Sequence, residues 1–502
     1  MRPLARLAPF ATLAGIASLA SAARASPLIE TQGAVGGNAG AQGVVTGPGA
    51  ASTYFNPAML AEADDELTLG FALISEQMGI TLDGRPAGAD VPLVVGGRDV
   101  FSGGQPLPPD VVPTQWLRNG CPAGTAQGQC PAPGMVARPR QSMGSSGQTR
   151  TYLALGFTKH IVKDRLTLGL YMMLPISNLT TAQAFFADER EAVFSNSLHS
   201  EMYGDRLTAL SVVAGAAFHV LPNLSLGASV SVGLANTASS RDYVQSATDY
   251  SQLLIANAVT TSVNVSPTFG LRYAPVPWLR FGGAVHAPES FVIDTNVDAT
   301  LPTGTESTAV QKSVFDWMPW SVALGAELEV ARRTNATTSL VASAQYSFWS
   351  SYRDRMNVSP TSYGDDMTFK DTPSGAIGVR QTFRDARMFL DLRYVPTPVP
   401  KQVGRSNYVD NDRFGAGIGA DVLLQFLKLR PGVQLFVDRF LPRHQTKDDT
   451  RIVDEVPDDA TLGTTGAPVP GVQGLQTNNT GYPGFASGGW LWGGAVTLGM
   501  PL

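Results

Sequence analysis

Apolar and polar residues alternate with a period of two along much of the chain beyond residue 65. In the stretch Leu224–Leu234, apolar side chains occupy every second position and serine or glycine occupies the positions between them. Successive side chains of a β-strand point to opposite faces, so this period predicts a strand with one apolar face. The alternation recurs in segments that begin at Leu67, Leu166, Leu279, Leu340, Met388, Val433 and Trp490.

The alternating segments and the breaks between them predict about fourteen strands, which is an even number. The predicted strands lie at 65–82, 149–159, 165–176, 204–220, 223–236, 260–274, 278–294, 314–330, 337–358, 368–383, 386–397, 407–424, 429–442 and 488–500.

The predicted connections alternate in length. Short ones such as Leu221–Pro222 and Arg384–Asp385 are separated by long ones, notably 83–148 and 443–487. Short turns at one end, long loops at the other and an outward apolar face are typical of a transmembrane barrel. We therefore predict an all-β fold, a transmembrane antiparallel β-barrel, and regard a soluble multidomain β protein as the less favoured alternative. Tryptophans near predicted strand ends fit the aromatic girdles of such a barrel: Trp278, Trp317, Trp320 and Trp349.

The N-terminus has the pattern of a secretory signal peptide. Arg2 and Arg6 precede the apolar run Leu7–Ala20, and Ala23-Arg24-Ala25 fits a signal-peptidase site. The run is shorter than the roughly 18 to 20 residues that a spanning helix needs. We therefore predict that residues 1–25 are removed.

The following residues, 26–64, are rich in glycine and show no alternating pattern. A barrel of about fourteen strands encloses a lumen wider than its own side chains can fill. We therefore predict that 26–64 forms an N-terminal hatch, or plug, inside the lumen. Residues 65–502 then form the barrel, with 83–148 as a long external loop insertion.

Composition excludes some functions. The net charge of −5 and the charged fraction of 15% provide no basic surface for nucleic acid. The chain has two cysteines, Cys121 and Cys130, and in an oxidising compartment we expect them to form a disulfide within the first external loop. No His or Cys spacing indicates a metal site, and no cofactor is expected.

No sequence motif indicates an enzyme. A Gly-x-Ser-x-Gly motif is absent from the sequence, and the five histidines show no metal-ligand spacing. A hydrolase assembled from separate strands, with His219 or His286 beside a serine, remains the least favoured alternative.

Four stretches resemble one family. The segment GAVGGNAGAQGVVTGPGAASTYFNPAML (33–60) resembles the N-terminal hatch of the FadL and TodX family of outer-membrane transporters for hydrophobic compounds. Asn56, Pro57 and Ala58, which follow Phe55, match the Asn-Pro-Ala motif of that hatch. The stretches 346–358, 369–383 and 396–419 resemble further patterns of the family in the expected order, so the resemblance covers nearly the whole mature chain.

The resemblance implies a fourteen-stranded monomeric barrel in the outer membrane with a hatch in its lumen. It also implies passive uptake of hydrophobic molecules such as long-chain fatty acids or aromatic hydrocarbons. In the family mechanism, the ligand is captured outside, reaches a lumenal site against the hatch, and leaves through the barrel wall into outer-membrane lipid. A general or structural porin is the second interpretation.

Candidate ligand contacts follow from the strand phase. Arg280, His286 and Arg393 lie on the phase opposite to the apolar face and should point inward. Such basic groups could bind a carboxylate, or they could instead pair with neighbouring acidic side chains. Leu253, Leu254 and Ile255 are expected in an external loop, as an apolar capture surface or as ordinary loop packing. The predicted gate comprises Phe55, Asn56, Pro57 and Ala58.

Overall fold

The structure is a computed structural model. It describes residues 40–83, 94–95, 98–99, 141–144, 148–176, 185–186, 197–198, 211–244, 253–300, 306–353, 359, 368–403, 408–446, 460–462, 468–473 and 484–502. The predicted signal peptide and the two cysteines, Cys121 and Cys130, lie outside the described residues, so removal of the first and pairing of the second stay predictions.

The described residues form fourteen barrel strands, three of them built from two segments. They are β1 Glu66–Leu82, β2 Gln141–Gly144 with Gln148–Val162, β3 Leu166–Pro175, β4 Ser211–Leu221, β5 Leu224–Val244, β6 Leu253–Val276, β7 Leu279–His286 with Glu289–Thr300, β8 Glu306–Met318 with Ser321–Arg333, β9 Ala336–Ser347, β10 Thr372–Phe383, β11 Ala386–Val395, β12 Arg413–Val422, β13 Arg430–Thr446 and β14 Gly484–Pro501. Three short ladders lie outside the barrel: Val94–Val95 with Arg98–Asp99, Phe185–Phe186 with Ser197–Leu198, and Ala460–Leu462 with Pro468–Gln473.

The sheet closes on itself. Strand β1 pairs with β2, placing Glu66 opposite Thr158, and also with β14, placing Glu66 opposite Pro501. Neighbouring strands run antiparallel around the wall, and this confirms the predicted closed barrel. Turns of a few residues, such as the one between β10 and β11, share one end of the barrel, which we name the short-turn end. We name the opposite end the long-loop end.

The outer wall is apolar. Large hydrophobic side chains point outward from most strands and are exposed, for example Leu324 and Ile377 at 62%. Contiguous exposure of this kind is unfavourable in water and fits lipid, so the barrel is a transmembrane barrel. Among the described residues, no helix combines the length and hydropathy that crossing a membrane would require.

Two of the four tryptophans assigned to the girdles were placed wrongly. Trp278 and Trp320 are about half exposed on the outer wall, as expected. Trp349 is buried, because β9 ends at Ser347 and the chain turns inward through the 3-10 helix Trp349–Ser351. Trp317 packs inside the barrel against the rings of Trp349 and Tyr352. The predicted strand 337–358 was therefore too long.

A second difference lies between β5 and β6. The region after residue 236 was expected to be an external loop, but β5 continues to Val244 and β6 begins at Leu253, which pairs with it. In the sequence of this hairpin, serine, threonine and asparagine are mixed with apolar residues, which weakens the two-residue period.

Prolines interrupt β7 and β8 at the same level. Pro288 separates the two segments of β7, and Pro319 separates those of β8, because proline lacks the N–H that a ladder needs. Beyond the break, the β7–β8 hairpin pairs in parallel with β5, with Asn236 opposite Ile293. The predicted strand 278–294 was therefore not continuous.

Residues 40–64, which we name the inner segment, lie within the barrel. The segment contains the 3-10 helix Gly40–Val44, the helical turn Ser52–Phe55 and the 3-10 helix Pro57–Glu62. Nearly all of its side chains from Gln42 to Ala63 are buried. It packs against the inner faces of β3 to β10, near the short-turn end.

Candidate functional site: the inner segment and the lumen above it

Glycines on the inner wall create a groove for the inner segment. They stand directly opposite each other on neighbouring strands in three pairs: Gly169 with Gly215, Gly227 with Gly270, and Gly282 with Gly325. A Cβ atom at Gly227 would collide with the backbone of Pro57 and Ala58, and one at Gly282 would collide with the carbonyl of Val44. The wall therefore lacks side chains where the backbone of the inner segment passes.

Asn56 fastens the inner segment to itself and to the wall. Its Nδ2 donates to the carbonyl of Val44 at 2.7 Å and to the carbonyl of Leu271, on β6, at 3.0 Å. Its Oδ1 accepts from the backbone N–H of Ala58 at 3.1 Å. Pro57 has no N–H to place, so it follows Asn56 without leaving a buried donor unpaired. Asn56 thus holds both halves of the segment against one strand.

Further polar contacts hold the second half of the segment. Nε2 of His219, on β4, lies 3.1 Å from the carbonyl oxygen of Ala61. Arg272, on β6, forms an ion pair with Glu62. Both wall residues point into the lumen, and so the segment is also anchored on the C-terminal side of the Asn-Pro-Ala motif.

The junction with β1 is also fixed by charge. Nζ of Lys159 lies 2.6 Å from the carboxylate of Asp65, and the backbone N–H of His160 donates to Asp65 at 2.7 Å. Burial raises the pKa of Asp65, but the hydrogen bonds from Lys159 and His160 outweigh it and hold that pKa below its usual value. The hydroxyl of Thr158 donates to the carbonyl of Asp64, so the segment leaves the lumen at a defined point.

On its long-loop side, the inner segment meets an apolar interior. The rings of Tyr54 and Phe55 pack edge to face with centroids 5.2 Å apart, and Tyr54 also contacts the ring of His286. Tyr54 and Phe55 belong to one buried apolar cluster that we name the lumenal cluster. Its members on the barrel strands include Ile74, Met78, Ile80, Tyr152, Met173, Phe436, Phe440, Phe485 and Leu491.

The lumenal cluster continues to the long-loop end through stacked aromatic rings. Tyr352 stacks on Phe369 with ring centroids 4.7 Å apart, and Tyr408 packs against Phe369 at 5.1 Å. Trp317 and Trp349 close the group, with Trp317 5.4 Å from Tyr352. Apolar contacts therefore connect the mouth of the barrel with the inner segment.

Ion pairs line the wall formed by β10 to β13. Arg380 binds Asp391 through two hydrogen bonds of 2.6 and 2.9 Å. Arg393 on β11 reaches across β12 above Gly415 and binds Asp438 on β13. Each guanidinium also lies over a phenylalanine ring, at 5.1 and 5.8 Å from the centroid. Both pairs are nearly fully buried.

The basic residues singled out from sequence are engaged with protein groups. Arg280 lies 3.2 Å from the carboxylate of Glu327, and Arg393 is paired with Asp438. His286 contacts Tyr54, and Thr268 lies 3.2 Å from its Nδ1. A role for these residues in ligand binding stays a prediction.

The expected capture surface belongs to a strand. Leu253, Leu254 and Ile255 open β6 and pair with the end of β5, so their assignment to a loop was wrong. The sequence analysis did not predict the lumenal cluster. A signal for it was present in β1, where the inward positions Ile74, Met78 and Ile80 are apolar in addition to the outward ones.

The geometry disfavours the hydrolase. Oγ of Ser225 lies 2.9 Å from Nδ1 of His219, but Ser225 is fully buried, and the other ring nitrogen of His219 faces the carbonyl of Ala61. A nucleophile needs access to substrate and a base oriented by a third group. This pair fixes the inner segment instead. Within the described part of the chain, no group of three or more potential metal ligands occurs.

Comparison with solved structures identifies the fold. The crystal structure of a FadL homologue from Pseudomonas aeruginosa matches with a TM-score of 0.51 and 15% sequence identity, covering 95% of this chain and 98% of that chain. A TodX monoaromatic hydrocarbon channel carrying the deltaS2S3 mutation matches with a TM-score of 0.45 and 11% identity, covering 96% and 99%. The toluene transporter TbuX from Ralstonia pickettii matches with a TM-score of 0.38 and 11% identity, covering 95% and 98%.

No protein-family model and no curated protein sequence matches the chain. The first structural match, over nearly the full length of both chains, shows that the fold is that of the FadL homologue. The fold expected from the FadL and TodX resemblance is therefore confirmed.

Proposed function

We propose that this barrel, which has the fold of a FadL homologue, is an outer-membrane transporter of the FadL and TodX type. It takes up hydrophobic molecules passively, and the inner segment serves as the hatch that closes the lumen. It acts as a monomer without a cofactor, and its partners are the hydrophobic ligand and outer-membrane lipid.

The lumenal cluster is the observation that carries this proposal. The interior of a general porin is polar and filled with water. Here, buried apolar side chains from β1, β2, β13 and β14 connect the aromatic rings at the mouth with Tyr54 and Phe55. Such an interior favours apolar ligands and resists the passage of ions, because the transfer of a charge into it is costly.

The inner segment supports the same function. Its fit to the glycine groove and the hydrogen bonds of Asn56 hold it against the wall below the lumenal cluster, where a hatch is expected to lie. A ligand that reaches Tyr54 and Phe55 would have to displace part of the segment or leave sideways. Release into the bilayer spares an apolar ligand its return to water, so we favour the lateral route.

Solute uptake by liposomes tests the proposal. Purified protein reconstituted into vesicles should accelerate the entry of a fluorescent long-chain fatty acid or of toluene. It should not accelerate the entry of arabinose, a small polar sugar. Equal acceleration of all three solutes would indicate a general porin, and no acceleration of either hydrophobic solute would contradict the transporter.

The ratio of fatty-acid to toluene uptake then defines the substrate class. Both classes are compatible with an apolar lumen, and the comparison within one vesicle preparation removes differences in protein content.

A further inference from the structure

A polar cavity lies at the short-turn end, on the opposite side of the inner segment from the lumenal cluster. Residues 47–51 of the inner segment form one side, and the inner faces of β1, β2, β3, β11, β12, β13 and β14 form the other. It is open to solvent, which its empty volume of about 600 Å³ includes, and the mostly exposed Asp64 lies at its opening at the short-turn end. Its charged lining groups are Arg387, Arg430, Asp421, Asp64 and Glu66.

Arg387 uses only part of its hydrogen-bonding capacity. Its Nε lies 3.0 Å from both carboxylate oxygens of Asp421, whereas an Arg–carboxylate pair usually engages two guanidinium nitrogens. Among the described residues, its two Nη atoms donate no hydrogen bond. The side chain is one-third exposed and lines the cavity. Four N–H donors in a planar fork are thus available to a ligand in the cavity.

The carboxylate that pairs with Arg387 is shared with a second arginine. Asp421 faces a second cation, because Nε of Arg430 lies 3.9 Å from its carboxylate. Nη1 of Arg430 is itself engaged by Asp64 at 3.1 Å and by Glu66 at 3.4 Å. Asp64 is mostly exposed, so its charge is well screened by water. Asp421 is therefore shared between two guanidinium groups and does not neutralise Arg387 alone.

A hydroxyl donor completes the site. Thr497 lines the cavity, and its side chain makes no hydrogen bond among the described residues. The hydroxyl of Thr68, by contrast, donates to the carboxylate of Glu66. Arg387 and Thr497 are therefore two donors of this wall that a ligand could use.

We propose that this cavity binds a small oxyanion, such as phosphate or a short carboxylate. Two oxygen atoms accept from Nη1 and Nη2 of Arg387, and Thr497 donates to the same ligand. The planar guanidinium fork matches two oxygens of one anion, a geometry that chloride cannot satisfy. Because the cavity opens at the short-turn end, the ligand enters from the aqueous compartment on that side and need not cross the lumenal cluster.

Isothermal titration calorimetry of the full chain in detergent tests the site. Inorganic phosphate and acetate are titrated at constant ionic strength with chloride as the background anion. We expect saturable binding of one anion, weakened by about tenfold or more in Arg387→Gln, because a charge-assisted fork is lost. Arg387→Lys keeps the charge but loses the fork, so its affinity for the anion should fall between those of the wild type and Arg387→Gln.

Two variants keep the result interpretable. Arg332→Gln removes an exposed arginine from the same end, where it pairs with Glu329, and should bind like the wild type. Thr497→Val leaves the Arg387–Asp421 pair intact and should weaken binding severalfold, so the proposal can be tested even when Arg387→Gln misfolds.

Equal affinities of wild type, Arg387→Gln and Thr497→Val, or no saturable binding, would overturn the proposal. Dodecanoate provides a third arm. Binding of dodecanoate that Arg387→Gln leaves unchanged, without any binding of phosphate or acetate, would place the ligand in the lumenal cluster and contradict a small-oxyanion site.

Discussion

Single residues decide how the inner segment is held. The Asn-Pro-Ala stretch was identifiable from sequence, because a proline after an amide in a glycine-rich segment is a local pattern. The hydrogen-bond partners of Asn56 could not be identified from sequence, since Leu271 is 215 positions away along the chain. The same holds for Arg393 and Asp438, whose pairing depends on strand register and on the absence of a side chain at Gly415.

The first prediction concerns Asn56→Ala. The substitution leaves the buried carbonyls of Val44 and Leu271 without their donor, at a cost of about 1–3 kcal/mol to the docking of the inner segment. The barrel should remain folded, because the apolar outer face does not involve Asn56. We expect increased conductance in planar bilayers and altered uptake of a hydrophobic tracer.

Asn56→Asp is the matched variant for this test. It keeps an acceptor for the N–H of Ala58 but loses the amide donors, so it should resemble Asn56→Ala. Wild-type conductance and uptake in both variants, at equal abundance, would mean that the stretch only turns the chain toward β1.

The second prediction concerns Gly415→Ala. A Cβ at this position would collide with the carboxylate of Asp438 and approach Nε of Arg393 to 2.7 Å. Overpacking and the distorted buried pair should destabilise the barrel by about 1–3 kcal/mol, measured as a lower melting temperature in detergent. Gly375→Ala faces outward with only an ordinary contact of 3.6 Å to the carbonyl of Ser343, and it should melt like the wild type. Identical melting temperatures of all three proteins would contradict the packing argument.

At the scale of elements, the two-residue period predicted most strands because lipid outside imposes one apolar face on each. The two-residue period failed to predict the structure where lipid does not impose an apolar face. Beyond residue 236, the sequence of the β5–β6 hairpin mixes polar with apolar residues, and the pattern did not predict its pairing. The inward turn after Ser347 was missed because aromatic residues fit both a girdle and a packed interior.

The third prediction compares two neighbouring glycines on β7. Gly282 faces the inner segment, and a Cβ there would collide with the carbonyl of Val44. Gly283 faces outward, where a Cβ would meet only the end of Leu324 at 3.3 Å. We therefore expect Gly282→Ala to displace the first part of the inner segment and raise bilayer conductance, while Gly283→Ala should leave conductance unchanged.

Because the two positions share one strand, differences in expression or assembly should affect both variants alike. Conductance that rises equally in both, or in neither, would show that the inner segment does not depend on the groove.

At the scale of the whole molecule, the barrel divides its interior between two environments. The inner segment lies between the lumenal cluster, on the side of the long loops, and a polar cavity at the short turns, while buried ion pairs line the wall of β10 to β13. The number of strands could be predicted, whereas the hatch that a wide barrel is expected to need stays a prediction. The division of the interior into an apolar cluster and a polar cavity could not be predicted, since it depends on which inward-facing residues of distant strands come together.

The last prediction tests whether the inner segment closes the barrel. The intact protein should show little steady conductance in planar bilayers, because the segment fills the groove and the lumenal cluster excludes ions. Deleting residues 33–58 removes the first two helical turns together with Asn56 but leaves Glu62, Asp64 and Asp65, with their ion pairs to the wall. The barrel should therefore still assemble, as judged by its heat-dependent mobility in gel electrophoresis, and it should conduct steadily. Large channels in the intact protein would favour a general porin. A folded deletion variant that stays closed would place the barrier to ions in the lumenal cluster alone.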